Sequence, residues 1–257
     1  MDFSKKSSSQ IQRKMADSIQ GKNRRNQVLN YLAIENGHSI LDLGCGGGHL
    51  VHEIALSVGP SGKAFGIDPS KDQIKSAYNR CSNLDNAQLI CSSFADISMD
   101  NGTLNGICAI QSLEYIEDLE QTLSKINRLL KTNSKFINVS VLWDHWRFHG
   151  PEKQLNNLMH EAFRTHCFHQ MLPLSLPEKL KKIGFVNIQT QPLAFLITRR
   201  NENCFATFAE SVLCNFAKKN GVSEENVEIW KTQLRKSEEK GTFGFTSIPV
   251  LNACYKP

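Results

Sequence analysis

Residues Ile40 to Leu50 read ILDLGCGGGHL, and this segment constrains the fold more than any other part of the chain. An apolar strand runs into Asp42, a turn carries Gly44, Gly46, Gly47 and Gly48, and an amphipathic helix opens at His49. Glycine lacks Cβ, so it lets the backbone curl tightly and lets a ligand come close to it. The helix start offers backbone N–H groups with no partner inside the helix, and a carboxylate at the strand tip can meet a cationic group. This order suits a nucleotide-like ligand that carries an amine. The dinucleotide fingerprint G-x-G-x-x-G fails, because His49 stands where its last glycine belongs.

Strand and helix patterns alternate through the following hundred residues. Val28 to Ile34 closes an N-terminal helix, and Ser39 to Leu43 is a short buried strand. Leu50, Ile54 and Val58 recur at four-residue spacing, so a helix runs to Gly59-Pro60. Ala64 to Ile67 is a second strand, and Ser70 caps a helix with Ile74, Ala77 and Cys81 on one face. Further strands are expected at Ala87–Cys91, Gly106–Gln111 and Phe136–Leu142. Between the last two, Leu119, Leu123, Ile126 and Leu130 stripe a helix. Such alternation implies right-handed crossovers and a parallel sheet covered on both faces.

Beyond Trp143 the rhythm changes. Residues 144–172 are rich in aromatics and histidines and lack strand alternation, with a helix expected from Leu155 to Phe168. A short helix follows at Pro177–Ile183 and a sixth strand at Phe185–Thr190. Two helices joined at Gly221-Val222-Ser223 fill 203–238, and GTFGFTSIPVLNACYKP reads as one closing strand-like run. The organisation expected is a single domain, 1–257. It has an N-terminal helical lid (1–38), a ligand-binding core (39–142) and two substrate-side insertions (143–172 and 193–240).

Composition excludes several classes. The 257 residues are 40% hydrophobic and 21% charged, as in a soluble globular protein. No apolar run approaches the roughly 18 to 20 residues that span a bilayer. The basic, serine-rich start lacks an apolar h-region, so a secretory signal is not expected. Eight cysteines show no C-x-x-C pair and no zinc spacing, which points to a reducing cytoplasm. His160, His166, Cys167 and His169 match no zinc pattern, so no metal is expected. The net charge of +5 is mild. Its most basic stretch includes Lys5, Lys6, Arg13, Lys14, Lys22, Arg24 and Arg25, which reads as a solvated helix rather than a nucleic-acid arm. The sequence carries no signal of oligomeric state.

The spacing Asp42-x-Gly44-x-Gly46-x-Gly48 resembles motif I of the class I S-adenosylmethionine-dependent methyltransferases. The resemblance covers about residues 25 to 142. It implies a Rossmann-like doubly wound, mostly parallel seven-stranded sheet with an antiparallel last strand and helical insertions. It also implies S-adenosylmethionine as cofactor, with Asp42, Gly44, Cys45, Gly46 and Gly48 around its methionine part. Asp68 would take the ribose, and Pro69 would pack near the adenine. At Cys91–Met99 the family often reads Gly-Asp-Ala-x-x-Leu-Pro-Phe. Here Ser93 aligns with the Asp and Phe94 with the Ala, so the usual carboxylate is missing, although Asp96 lies nearby. The Ser93 hydroxyl and the Phe94 N–H are left to meet the adenine.

Ligands in open α/β sheets sit beyond the carboxyl ends of the strands, so Gln111 should face the reactive methyl, and Ala109 to Ile116 resembles the "LEH" or "LEY" stretch of ubiquinone/menaquinone-type and other small-molecule methyltransferases. The Asn/Asp-Pro-Pro-Tyr of amino-methylating DNA and adenine-RNA enzymes is absent, as is a Pro-Cys nucleophile for cytosine C5. Leu129 to Ile137 replaces the family's Leu-Lys-Pro-Gly-Gly turn. Trp143, Asp144, His145, Trp146, Arg147, Phe148 and His149 follow the fifth strand, at the carboxyl edge where ligands bind in such sheets. They read as a pocket wall. Histidine titrates near neutrality, so His145 and His149 are candidate bases, with Tyr115 a third. The expected reaction is methyl transfer to a small molecule. RNA or protein acceptors, and a non-catalytic cofactor-binding protein, are the alternatives.

Overall fold

A computed structural model describes residues 6–201 and 203–257, and residues 6–8 by backbone only. The chain begins with two helices, α1 (Lys6–Asp17) and α2 (Ile19–Leu32). Then come β1 (Ser39–Leu43), α3 (His49–Val58), β2 (Lys63–Asp68), α4 (Lys71–Arg80), β3 (Ala87–Cys91), β4 (Leu104–Ile110), α5 (Leu119–Leu129) and β5 (Leu130–Val141). The remainder comprises β6 (Arg147–His149), α6 (Lys153–Phe163), α7 (Leu172–Lys182), β7 (Val186–Pro192), β8 (Phe195–Ile197), α8 (Phe205–Lys219), α9 (Glu224–Glu239), β9 (Gly244–Ser247) and β10 (Pro249–Tyr255).

The large sheet has the order β3-β2-β1-β4-β5-β10-β7. Strands β1 to β5 pair in parallel, while β10 runs antiparallel to both β5 and β7. This is the Rossmann-like, mostly parallel seven-stranded sheet with an antiparallel last strand. One face packs on α2, α3 and α4 through Val28, Leu50, Ile54 and Ile74. The other packs on α5 and α7 through Leu123, Ile126, Leu176 and Leu180. Both faces are covered, so the central strands are apolar throughout rather than alternating.

Several boundaries differ from the sequence reading. Strand β5 begins at Leu130, not Phe136, and absorbs the expected turn with Asn133 at φ 60°. Helix α6 ends at Phe163 instead of Phe168, and α7 begins at Leu172, with Pro177 inside it. The region read as lacking strands contains β6, whose alternation buries Phe148 and turns Arg147 and His149 outward. The closing run is two strands in two sheets, because the chain changes sheet at Ile248.

Segments of the chain on either side of β7 come together. Strands β6, β9 and β8 form a separate three-stranded sheet, and with α6, α8 and α9 they enclose a third apolar cluster. Trp230 is fully buried there, its Nε1–H donating to Asn156 Oδ1 at 2.9 Å, while Asn156 Nδ2 donates to the Phe148 carbonyl at 2.9 Å. A buried side chain of this size contributes roughly 3 kcal/mol by area alone, provided its polar atom is satisfied, as here.

Candidate active site

The tips of β1, β2 and β4 converge on one cavity of about 530 Å³, a size that suits a small-molecule ligand. At the tip of β1, Gly44 has φ 75°, and a Cβ there would overlap the Ser112 hydroxyl, so this position admits only glycine. Gly48, at φ 76°, would press a Cβ within 2.7 Å of Ala77 Cβ, so it sets how closely α3 approaches α4. Gly46 differs: the nearest atom to its missing Cβ lies 3.9 Å away, leaving the space to the cavity.

Asp68 ties the loop to the second strand. Its Oδ2 accepts from Gly46 N at 3.0 Å and its Oδ1 from Ser70 N at 2.8 Å. The Ile67 carbonyl accepts from both Gly44 N and Cys45 N, at 2.8 and 2.9 Å. Burial raises the Asp68 carboxyl against those two hydrogen bonds. Burial, with Asp68 nearby, pushes Asp42 up to about 7. The Cys45 thiol is raised well above its ordinary range by burial, so it lines the cavity as an inert group.

Three segments close the walls. After β3, Ser92, Ser93 and Phe94 line the cavity, and the Ser93 hydroxyl donates to Asp96 Oδ2 at 2.6 Å. Asp96 is exposed and does not itself line the cavity. Lys125 braces this loop by donating to the carbonyls of Phe94, Ala95 and Ile97 at 2.7, 2.8 and 2.7 Å. From the N-terminus, α1 and α2 bring Gln12, Arg13, Met15, Ala16, Gly21, Arg24 and Arg25 over the glycine loop. Arg13 pairs with Asp72 at 2.9 Å, and Arg25 holds Glu53 at 2.9 and 3.0 Å. His49 Nε2 lies 2.9 Å from Asp17 Oδ1, and burial lowers this imidazole to about 4, so it is neutral.

The third segment is aromatic. Gln111, at φ 51°, ends β4 with its N–H on the Val139 carbonyl at 2.7 Å, and its side-chain oxygen accepts from Arg24 Nη1. Next to it stand Tyr115, Ile116, Trp143, Trp146, Phe163 and Val212. Trp146 stacks on Phe163 with centroids 4.9 Å apart, and Trp143 meets Phe163 edge-on at 5.9 Å.

The structure thus brings Asp42, Gly44, Cys45, Gly46, Asp68, Pro69, Ser93, Phe94, Gln111 and Tyr115 to one cavity. Gly48 sits just behind it as the N-cap of α3. His145 and His149 are exposed and do not line it. Strand β6 points His149 away, toward Thr246 Oγ1 at 3.0 Å. Trp143 and Trp146 take the wall positions instead. Tyr115 holds its proton, since burial raises its phenol well above the usual range.

The sequence reading did not place Arg24 or Arg25 here. The signal was available: Gly21, Arg24, Arg25, Val28 and Leu32 form the buried face of α2, at the spacing of an apolar stripe. It also overlooked Glu114, fully buried, whose Oε1 accepts from Val141 N at 3.1 Å and whose carbonyl receives Phe168 N and His169 N. Burial pushes Glu114 up to about 7. Among the described residues no cluster of three His, Cys, Asp or Glu side chains could hold a metal, and no helix is long and apolar enough to cross a membrane.

The profile of a methyltransferase domain matches residues 34–190. The chain belongs to this methyltransferase-domain family. Its sheet is that of the Rossmann-like class I members, so the resemblance in ILDLGCGGG holds for both family and fold. Among curated relatives, a demethylmenaquinone methyltransferase of Staphylococcus carnosus is 29% identical over 107 residues, covering 42% of this chain and 44% of the relative. The O-methyltransferase resE of Aspergillus sclerotiorum is 29% identical over 155 residues, 59% of this chain and 54% of that one. The chain therefore spans about half the length of the curated relatives it matches. Among solved structures, phosphoethanolamine N-methyltransferase 2 of Haemonchus contortus, in complex with S-adenosyl-L-methionine, superposes with TM-score 0.66 at 15% identity, covering 100% of this chain and 58% of that one.

Proposed function

We propose that this protein transfers a methyl group from S-adenosylmethionine to a small-molecule acceptor held against the aromatic wall. The observation that carries this reading is the continuity of the cavity from the glycine loop, past Gln111, to Trp143, Trp146 and Phe163. The residues present fit such a cofactor. The open side of Gly46 leaves room for a close approach. Asp68, braced by Gly46 N and Ser70 N, presents a fixed carboxylate to ribose hydroxyls. Asp42 offers a buried carboxylate to an ammonium group, and Ser93 with Phe94 walls the adenine end. When bound, the cofactor supplies a methyl already activated as a sulfonium.

The protein's own contribution is then position and exclusion of water. Helices α1 and α2 act as the lid expected over 1–38, of which residues 1–5 lie outside the described residues. The wall orients the acceptor. Protonated Tyr115 serves as a hydrogen-bond donor rather than a base. The lining favours a metabolite over RNA or protein, because Arg13 and Arg25 are already paired with Asp72 and Glu53, and Ile116, Trp143, Trp146, Phe163 and Val212 make the far wall largely apolar.

Calorimetry with S-adenosylhomocysteine tests the cofactor assignment. Binding weakens about a hundredfold in Asp68→Ala, the scale of losing hydrogen bonds to a charged group. No binding at millimolar ligand, or unchanged affinity in that variant, overturns the reading. Incubation with labelled methyl donor and separated cell extract tests the acceptor: label is expected in the small-molecule fraction, and label confined to RNA or protein would refute it.

A further inference from the structure

Arg24 stands apart from the other cavity arginines. Arg13 and Arg25 each meet a carboxylate at 2.9 Å. Arg24 is 6% exposed and meets none. Its Nε lies 3.4 Å from the Gln20 carbonyl and its Nη1 donates to the neutral Gln111 amide. Its Nη2 has no hydrogen-bond partner among the described residues. The guanidinium lies over the Phe205 ring, 5.1 Å from its centroid, which fixes its plane against α8. Burial lowers it to about 10, far above neutrality, so the charge persists. The acid whose charge acts on it is buried Glu114, itself pushed up to about 7 and only partly ionised at neutral pH.

A buried cation without an ionised partner is costly to keep. Rigid placement of a planar donor fork beside an aromatic wall is how a carboxylate or phosphate is recognised. A second donor sits in the same wall: Trp143 Nε1–H is buried with no hydrogen-bond partner among the described residues. Within the cavity, the contacts of the Arg24 guanidinium are to Gln111 and to the Phe205 ring, beside the aromatic wall.

We infer that Arg24 is a specificity-determining residue that selects an acceptor bearing an anionic carboxylate or phosphate group on an aromatic or otherwise apolar body. This rests on the methyltransferase reading above, and it adds the charge and shape of the acceptor. Arg24 pairs with the anion through Nη2 while Gln111 holds the other side of the fork, and the stack on Phe205 keeps the guanidinium from following the ligand. The apolar body lies along Trp143, Trp146 and Phe163.

The experiment uses the full chain saturated with S-adenosylhomocysteine and two probes of equal shape, benzoate and benzamide, titrated by calorimetry. The Arg24→Met variant is run alongside. Benzoate is expected to bind at least tenfold more tightly than benzamide, and Arg24→Met to erase that preference while changing the affinity for S-adenosylhomocysteine less than threefold. Arg24→Lys, which keeps the charge but loses the fork, is expected to recover only part of the preference. Equal binding of the two probes, or binding of neither, overturns the inference.

It is also overturned if Arg24→Met loses S-adenosylhomocysteine tenfold or more yet keeps its affinity for 5′-methylthioadenosine. That compound lacks the amino-acid part, so the result would assign Arg24 to the cofactor's carboxylate. Failure of the parent protein to bind S-adenosylhomocysteine is a separate readout, and it would remove the methyltransferase reading itself.

Discussion

The two ends of the cavity are built by opposite means. The glycine-loop end comes from strand tips and tight turns: Asp42 to Gly48, Asp68 to Ser70, and Ser92 to Phe94 are each local segments at the carboxyl edge of adjacent strands. The aromatic end is assembled from distant parts of the chain, with Arg24 on α2, Gln111 after β4, Phe163 on α6 and Val212 on α8. At the first end the backbone does the shaping, and side chains only brace it. At the second, side-chain packing makes the surface, and the backbone hardly contributes. The first end should therefore be sensitive to conformation, and the second to volume.

The largest expected effect follows from volume. Trp146 is 3% exposed, stacks on Phe163 and meets Phe245 edge-on at 5.2 Å. Trp146→Ala leaves a hole that the surrounding rings cannot fill, and should cost about 3–5 kcal/mol of unfolding free energy by denaturant titration. Affinity of the folded fraction for S-adenosylhomocysteine should shift less than threefold. A tenfold loss of that affinity would break the comparison, because the two ends would then be one packing unit.

This division also explains what the sequence disclosed. Around the glycine loop the physics is local. Gly44 must be glycine where it stands, Ser70 caps α4 as its position predicts, and Asp68 closes the next strand. Adjacent residues state their own constraint, so the sheet and the loop could be read from spacing. The wall depends on contacts that no spacing encodes. His145 and His149 looked suitable because they follow β5, but β6 pairs with β9, and that pairing decides which of 147–149 faces inward. The break at Ile248 leaves no mark in the sequence for the same reason: β9 and β10 are both largely buried, and only their partners distinguish them. Arg24 was hidden by its charge, since a basic helix was read as solvated although its stripe marks the buried face.

A second, smaller effect sharpens the contrast through pH. Burial pushes Asp42 at the loop end up to about 7, whereas it lowers His166, buried against Trp143 and Phe163, to about 4. Between pH 5 and 7 the folded protein holds a proton on Asp42 that the unfolded chain, with a carboxyl near 4, has lost. Stability from this group therefore falls as pH rises. His166 has the opposite sign: the unfolded chain, with an imidazole near 6.5, binds the proton that the fold refuses. Stability from it falls as pH drops. Each contributes about 2 kcal/mol across that interval; Glu114 and Asp68, both raised by burial, add the sign of Asp42, and His49 and His160, both lowered by burial, add that of His166. The parent protein should thus be nearly flat from pH 5 to 7 in chemical denaturation. Asp42→Asn should become less stable toward pH 5, and His166→Gln less stable toward pH 7. Equal slopes in both variants would show that neither site sets the balance.

The smallest effect tests bracing at the loop end. Lys125 touches no ligand position; its ammonium gathers three carbonyls of the segment after β3, and it also lies 5.0 Å from the Phe94 ring centroid. Three fixed carbonyls pointing at one another repel unless a cation sits between them. Lys125→Met keeps the length and the apolar stem but removes the charge, so the segment should relax and carry Ser93 and Phe94 with it. Because the ammonium is partly solvated and water can replace some of its bonds, the loss should be about 1 kcal/mol, or roughly fivefold weaker binding of S-adenosylhomocysteine. The benzoate preference should not move, since Arg24 and the wall lie on other elements. If the variant instead altered that preference and left S-adenosylhomocysteine untouched, the segment after β3 would belong to the acceptor end, and the boundary between the two ends would have to be redrawn through Phe94.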